Sequence, residues 1–190
     1  PTIREALKRL ETVGAVTVKH GSGVYVAETH GTLILSNPVR GAAPSKKTLL
    51  DLLEARAAIE ALSAGLAAEH LTEAHLARME ALLAKAEAHL DDDAALNTAN
   101  MAFHREIAAA SGNAVIHQLL GVLSSLFQEE QRAILNIHGS RRNDHAEHRG
   151  ILDALRARDR ALAVERMRAH LEGVRAVILR WEPAASPLPS

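Results

Sequence analysis

Polar and apolar positions change period within the first thirty residues of this 190-residue chain. In Pro1-Thr2-Ile3-Arg4-Glu5-Ala6-Leu7-Lys8-Arg9-Leu10-Glu11, the residues Ile3, Ala6, Leu7 and Leu10 share one helical face, with the charges opposite. Gly14 is placed to stop that helix. Ala15-Val16-Thr17-Val18-Lys19 then alternates as a strand, His20-Gly21-Ser22-Gly23 supplies a turn, and Val24-Tyr25-Val26-Ala27 returns. Residues 1–28 thus predict a helix followed by a glycine-tipped β-hairpin. So little structure buries too little to stand as a domain, and further N-terminal sequence is expected to complete it.

Residues 29–47 mix Gly, Pro and Ser around one short apolar patch and read as a linker. From Thr48 to Trp181 the period is helical, and the punctuation predicts six helices, near 48–70, 73–90, 93–111, 114–138, 141–157 and 160–181. Thr72 and Asp159 are placed to cap the second and sixth, and Asp91-Asp92-Asp93 to start the third. Gly112 and Gly139 stop the third and fourth. Residues 182–190, rich in Pro, Ala and Ser, read as a flexible tail.

Composition sharpens this picture. Hydrophobic residues make up 47% but aromatics only 2%, so the core is aliphatic and favours closely packed helices over a β-sandwich. The 22 basic and 23 acidic residues balance, which excludes a polybasic arm. Without Cys there is no disulfide framework, thiol nucleophile or Cys-ligated zinc, and His, Asp, Glu and Asn remain as metal ligands. No apolar run approaches a membrane span and no signal peptide opens the chain, so a cytoplasmic location is expected.

The chemistry sits in the histidines. His170 lies within the apolar stripe Ala163, Val164, Met167, Leu171, Val174, Val177, Ile178 and Trp181 of the sixth helix. His148 shares a face with Ile151, Leu152 and Leu155, and His104 with Met101, Ile107, Ala108 and, one turn earlier, Asn100. Each inward imidazole is either a satisfied core histidine or part of a shared site; one metal ion would satisfy all three at once. Asn100 and His104, four apart, can grip one ion from one helical face. Three imidazoles and an amide bring no compensating charge, so such a site is expected to favour an anionic extra ligand, and Asn100→Asp to tighten the metal's hold. Arg56 lies among Leu52, Leu53 and Ile59 and either pairs with Glu60 one turn on or waits for a bound carboxylate. His145 reads as solvated, as do His70, His75 and His89.

These residues together resemble a known family. Pro1 to Glu11, Gly14 and His20-Gly21-Ser22-Gly23-Val24-Tyr25-Val26 resemble the recognition helix and wing of a GntR-superfamily winged helix-turn-helix. Leu53-Glu54-Ala55-Arg56 with Ile59-Glu60, Phe103-His104-Arg105-Glu106-Ile107-Ala108 with Ser111-Gly112-Asn113, Glu147-His148 with Ile151-Leu152, and Met167-Arg168-Ala169-His170-Leu171 are similar to the FCD effector domain of the FadR subfamily. The resemblance implies a mainly α protein: a partial winged helix (1–28), a linker (29–47) and an all-α antiparallel effector bundle (48–181). Family members carry two further helices before the position of Pro1.

The resemblance further implies a homodimer that binds operator DNA and a small carboxylate effector, a sugar acid, hydroxy acid or amino acid. It aligns Asn100, His104, His148 and His170 with the ligands of a divalent ion, zinc or nickel, with Asn100 standing where the family usually has Asp. The recognition helix would place Thr2, Arg4 and Arg9 nearest bases or phosphates. Lys8 and Lys19 would add charge, and Gly21 and Gly23 would let the wing approach the backbone. The alternative for Arg4 and Arg9 is a solvated helix face. Repression relieved by ligand is the expected response. The rival reading is a metal-dependent hydrolase or lyase using the same three histidines, for which no general base is evident on their faces.

Overall fold

The structure is a computed structural model that describes residues 2–12, 16–19, 21–26 and 45–182. Gly14, His20, nearly all of the linker and all but the first residue of the tail lie outside the described residues. The chain divides into two units, Pro1–Ser36 and Asn37–Ser190.

The first unit contains α1 (Ile3–Thr12) and an antiparallel hairpin of β1 (Val16–Lys19) and β2 (Gly23–Val26). Val16 stands opposite Val26 and Lys19 opposite Gly23, and the Ser22 N–H donates to the Lys19 carbonyl at 3.0 Å. Gly21 (φ +76) and Gly23 (φ +124) occupy backbone conformations that a side chain would strain, which is why the hairpin turns on glycines. Most described side chains here are exposed; Ile3 is 80% and Val26 85% accessible within the chain.

The second unit contains α2 (Lys46–His70), α3 (Glu73–Glu87), α4 (Asp93–Ala110), α5 (Ala114–Leu126), α6 (Gln128–His138), α7 (Arg141–Arg156) and α8 (Arg160–Arg180). The expected caps are present: Thr72, Asp92 and Asp159 accept backbone N–H groups at the starts of α3, α4 and α8. The long helices α2 and α8 pack along each other, α3 lies on α4, and α7 lies on α8. At Gly65 the α2–α8 approach is so close that a Cβ would stand 2.7 Å from Val164 Cγ2. Leu49, Leu53, Phe103, Ile107, Ile151 and Met167 lie in the aliphatic core between these helices.

The number of helices differs from the sequence expectation. The fourth predicted helix, 114–138, is two, broken at Phe127 (φ −112, ψ 36). Just before the break Ser125 Oγ donates back to the Gly121 carbonyl at 2.9 Å, and its neighbour Ser124 is buried. A serine hydroxyl bonding back to the helical ladder helps bend a helix, and Phe127 packs against the core at the bend. Apolar periodicity runs on through the break and does not register it.

Candidate metal centre

Four helices of the bundle each carry part of one buried polar cluster. Helix α4 supplies Asn100 and, one turn on, His104; α7 supplies Asp144 and, one turn on, His148; α8 supplies His170; α2 supplies Arg56 and, one turn on, Glu60. All seven residues are between 1% and 6% exposed. His104 Nε2 lies 3.0 Å from His148 Nε2, and ring centroids are 5.0 Å apart for His104–His148, 4.5 Å for His148–His170 and 5.5 Å for His104–His170. One nitrogen from each ring lies within 4.8 Å of the others. Phe103 packs edge-on against His104 and His148.

Carboxylates back these rings. Glu60 Oε2 contacts His104 Nδ1, and Glu60 Oε1 accepts from Arg56 Nε at 2.6 Å. Glu147 Oε2 lies 2.8 Å from His170 Nδ1, and Asp144 Oδ2 lies 3.5 Å from His148 Nδ1. With a carboxylate facing each Nδ1, the rings are oriented so that Nε2 is the nitrogen left for another partner, the arrangement usual around metal-ligating histidines. Asn100 Nδ2 donates to Asp144 Oδ2 at 2.9 Å, whereas the buried Asn100 Oδ1 has no hydrogen-bond partner.

Three expectations from the sequence are corrected. The cluster does not lack protein charge, and carboxylates do accompany the histidines, because Asp144 reaches His148 from one turn earlier on α7 while Glu147 and Glu60 reach His170 and His104 from other helices. Asp144 stands four residues before His148 and Glu60 four after Arg56, spacings that the sequence displays, but a polar helix face offers many such pairs. His145, expected to be solvated, has only 12% of its side chain exposed, with Nε2 4.0 Å from Glu87 Oε2.

Burial sets the protonation states. It pushes the Glu60 carboxyl up, but the charges of Arg56 and His104 and their hydrogen bonds more than reverse this and hold it far below the ordinary carboxylate range. Burial also lowers His104, opposed by Glu60, and lowers His148 strongly, helped by the neighbouring His170, His104 and Arg56. His148 is therefore a neutral imidazole at neutral pH, the form that ligates a metal.

A cavity of about 40 Å³ opens beside the cluster, lined among others by Arg56, Asn100, His104, Asp144, His148 and His170. Apart from its bond to Glu60, the Arg56 guanidinium makes no hydrogen bond among the described residues. A second cavity of about 330 Å³ shares Asn97, Met101 and Gln131 with the first and adds Arg105, Ser124 and Arg132. Gln131 is 3% exposed, and its side-chain amide makes no hydrogen bond among the described residues.

In the first unit, Thr2 just before α1 and Arg4, Lys8 and Arg9 on it are exposed. Lys19 Nζ lies 5.2 Å from the Tyr25 ring centroid, and Gly21 and Gly23 form the hairpin turn beside it.

Comparison with known proteins relates these features to others. The family model described as the FCD domain matches residues 51–173. The HTH-type transcriptional regulator LutR of Bacillus subtilis is 36% identical over 183 residues, covering 93% of this chain and 83% of LutR. The putative L-lactate dehydrogenase operon regulatory protein of Escherichia coli is 30% identical, covering 95% of this chain and 72% of its own length. Among solved structures, Streptococcus agalactiae GntR matches with a TM-score of 0.67 at 27% identity, covering 92% of this chain and 80% of that one.

Proposed function

The chain belongs to the FCD-domain family of GntR-type transcriptional regulators, and on that footing we propose that it is a homodimeric repressor released from operator DNA by a small carboxylate bound beside a metal ion. The observation that carries this reading is the buried cluster itself. An unpartnered buried amide oxygen beside three imidazoles, two of which are joined only by an Nε2–Nε2 contact of 3.0 Å, is a poor way to finish a core. These groups suit a cation well. Asn100, His104, His148 and His170 would hold it, and this nitrogen-rich, thiolate-free set favours zinc or nickel. The ion would supply positive charge to attract a carboxylate.

Arg56 faces the same cavity with N–H groups to spare, in the fork geometry that grips carboxylates. A cavity of about 40 Å³ has room for an ion and little else. The rest of a sugar acid, hydroxy acid or amino acid would enter through the adjoining cavity beside Gln131 and Arg105. The E. coli relative is named as a putative regulator of an L-lactate dehydrogenase operon, and lactate is a small hydroxy acid, a class these two cavities admit. A ligand spanning the two cavities would bind one arrangement of the helices that line them better than another, and that difference is what would shift the dimer.

On the DNA side, Thr2, Arg4 and Arg9 would meet bases or phosphates, Lys8 and Lys19 would add charge, and Gly21 and Gly23 would let the wing lie close to the backbone. The relatives are regulators, so the hydrolase or lyase alternative is set aside. No helix among the described residues is long and apolar enough to cross a membrane, and a DNA-bound repressor would work in the cytoplasm.

The test is binding of the zinc-loaded protein to a selected operator, measured by fluorescence anisotropy against a panel of hydroxy, sugar and amino acids. At least one carboxylate is expected to release the DNA, and Arg56→Lys, which keeps the charge but loses the fork, to blunt that release. No response across the panel overturns effector control, and tighter binding with ligand reverses the sign.

A further inference from the structure

The Asn100–Asp144 contact shows how this cluster carries its charge. A carboxylate only accepts hydrogen bonds, so it must take the Asn100 N–H, and the amide is thereby fixed with Oδ1 turned away from Asp144. That oxygen is buried and has no partner in the protein. Asp144 also lies 3.5 Å from His148 Nδ1 and 3.9 Å, through Oδ1, from His170 Nδ1. Among the described residues no Arg or Lys pairs with it. The other carboxylates differ: Glu60 is neutralised by Arg56, and the side chain of Glu147 is 34% exposed.

We propose that Asn100 and Asp144 act as one divided ligand, in which Asn100 Oδ1 meets the metal and Asp144, through the Asn100 N–H, supplies the negative charge. This rests on the metal reading above and says which residues do the work of a single aspartate. A carboxylate pulling on the amide N–H polarises the amide and makes its oxygen a better donor. It also reverses the expectation drawn from sequence for Asn100→Asp. With Asp144 2.9 Å away, a second carboxylate at position 100 meets like charge instead of filling a vacancy.

The experiment is zinc affinity of the full chain by chelator competition, with nickel run alongside, for the parent, Asp144→Asn, Asn100→Asp and the exchanged pair Asn100→Asp/Asp144→Asn. Asp144→Asn is expected to loosen zinc by about 10- to 100-fold. Asn100→Asp alone is expected not to tighten it. The exchanged pair, which returns one carboxylate and one amide to the same contact, is expected to regain near-parental affinity.

Unchanged affinity in Asp144→Asn, or an exchanged pair no better than that single variant, overturns the proposal while leaving the metal site standing. A parent chain that binds neither metal overturns both. Metal-free melting curves for all four proteins separate lost affinity from lost fold. If Asp144→Asn does not fold, the comparison of Asn100→Asp with the exchanged pair still decides: tightening in Asn100→Asp alone overturns the proposal.

Discussion

The interior of the bundle has two regions built by the same helices on different terms. Phe103 and His104 are neighbours on α4, Ile151 and Leu152 follow His148 on α7, and Met167 and Leu171 flank His170 on α8. In the aliphatic region a side chain contributes chiefly by leaving water, roughly 1.5–3 kcal/mol for a buried Leu, Ile, Phe or Met. The polar cluster has no such independence. Arg56, Glu60 and His104 are tolerable in the interior only because each satisfies the next, and removal of one leaves the others stranded. An apolar interior therefore loses stability in increments as its side chains are trimmed, whereas a polar one is an all-or-none arrangement.

The largest test of that contrast is Glu60→Ala. It leaves Arg56 buried without its anion, and urea unfolding is expected to show a loss of about 3–5 kcal/mol. A loss near zero would mean that water already reaches the cluster and that the two regions do not differ.

Next comes metal. Zinc at a hundred times its dissociation constant should stabilise the chain by about 2.7 kcal/mol, read as a rise in Tm of about 5–10 °C. The gain should shrink as pH falls below 6.5, because protons compete for the imidazoles. The metal-free chain should also lose stability over that range. Burial keeps His148 well below the ordinary value of 6.5, so the unfolded state takes up protons first. A thermal shift independent of pH would argue that zinc binds elsewhere.

The smallest effect belongs to the aliphatic region. Ile151→Val, at a fully buried site beside the cluster, should cost about 0.5–1.5 kcal/mol and leave zinc affinity unchanged. A changed affinity would show that packing and ligation are coupled and would blur the contrast.

Much of the architecture is legible along the chain because it is local. The glycine turn of the hairpin, the caps at Thr72, Asp92 and Asp159, and the inward stripe of α8 all depend on residues within a turn or two of one another. The break at Phe127 is not legible, since it depends on how a bend seats one ring against the core. The burial of His145 is likewise hidden, because it depends on what covers α7 from outside.

The sequence by itself determined which residues turn inward: periodicity assigns Arg56, Asn100, His104, His148 and His170 to apolar faces without reference to any other helix. Tertiary structure alone decided what those residues meet. Asp144 reaches Asn100 across 44 positions of chain, and Glu147 reaches His170 across 23. A hydrogen bond is made or lost within a few tenths of an ångström, and only the packed distances between helices set that spacing.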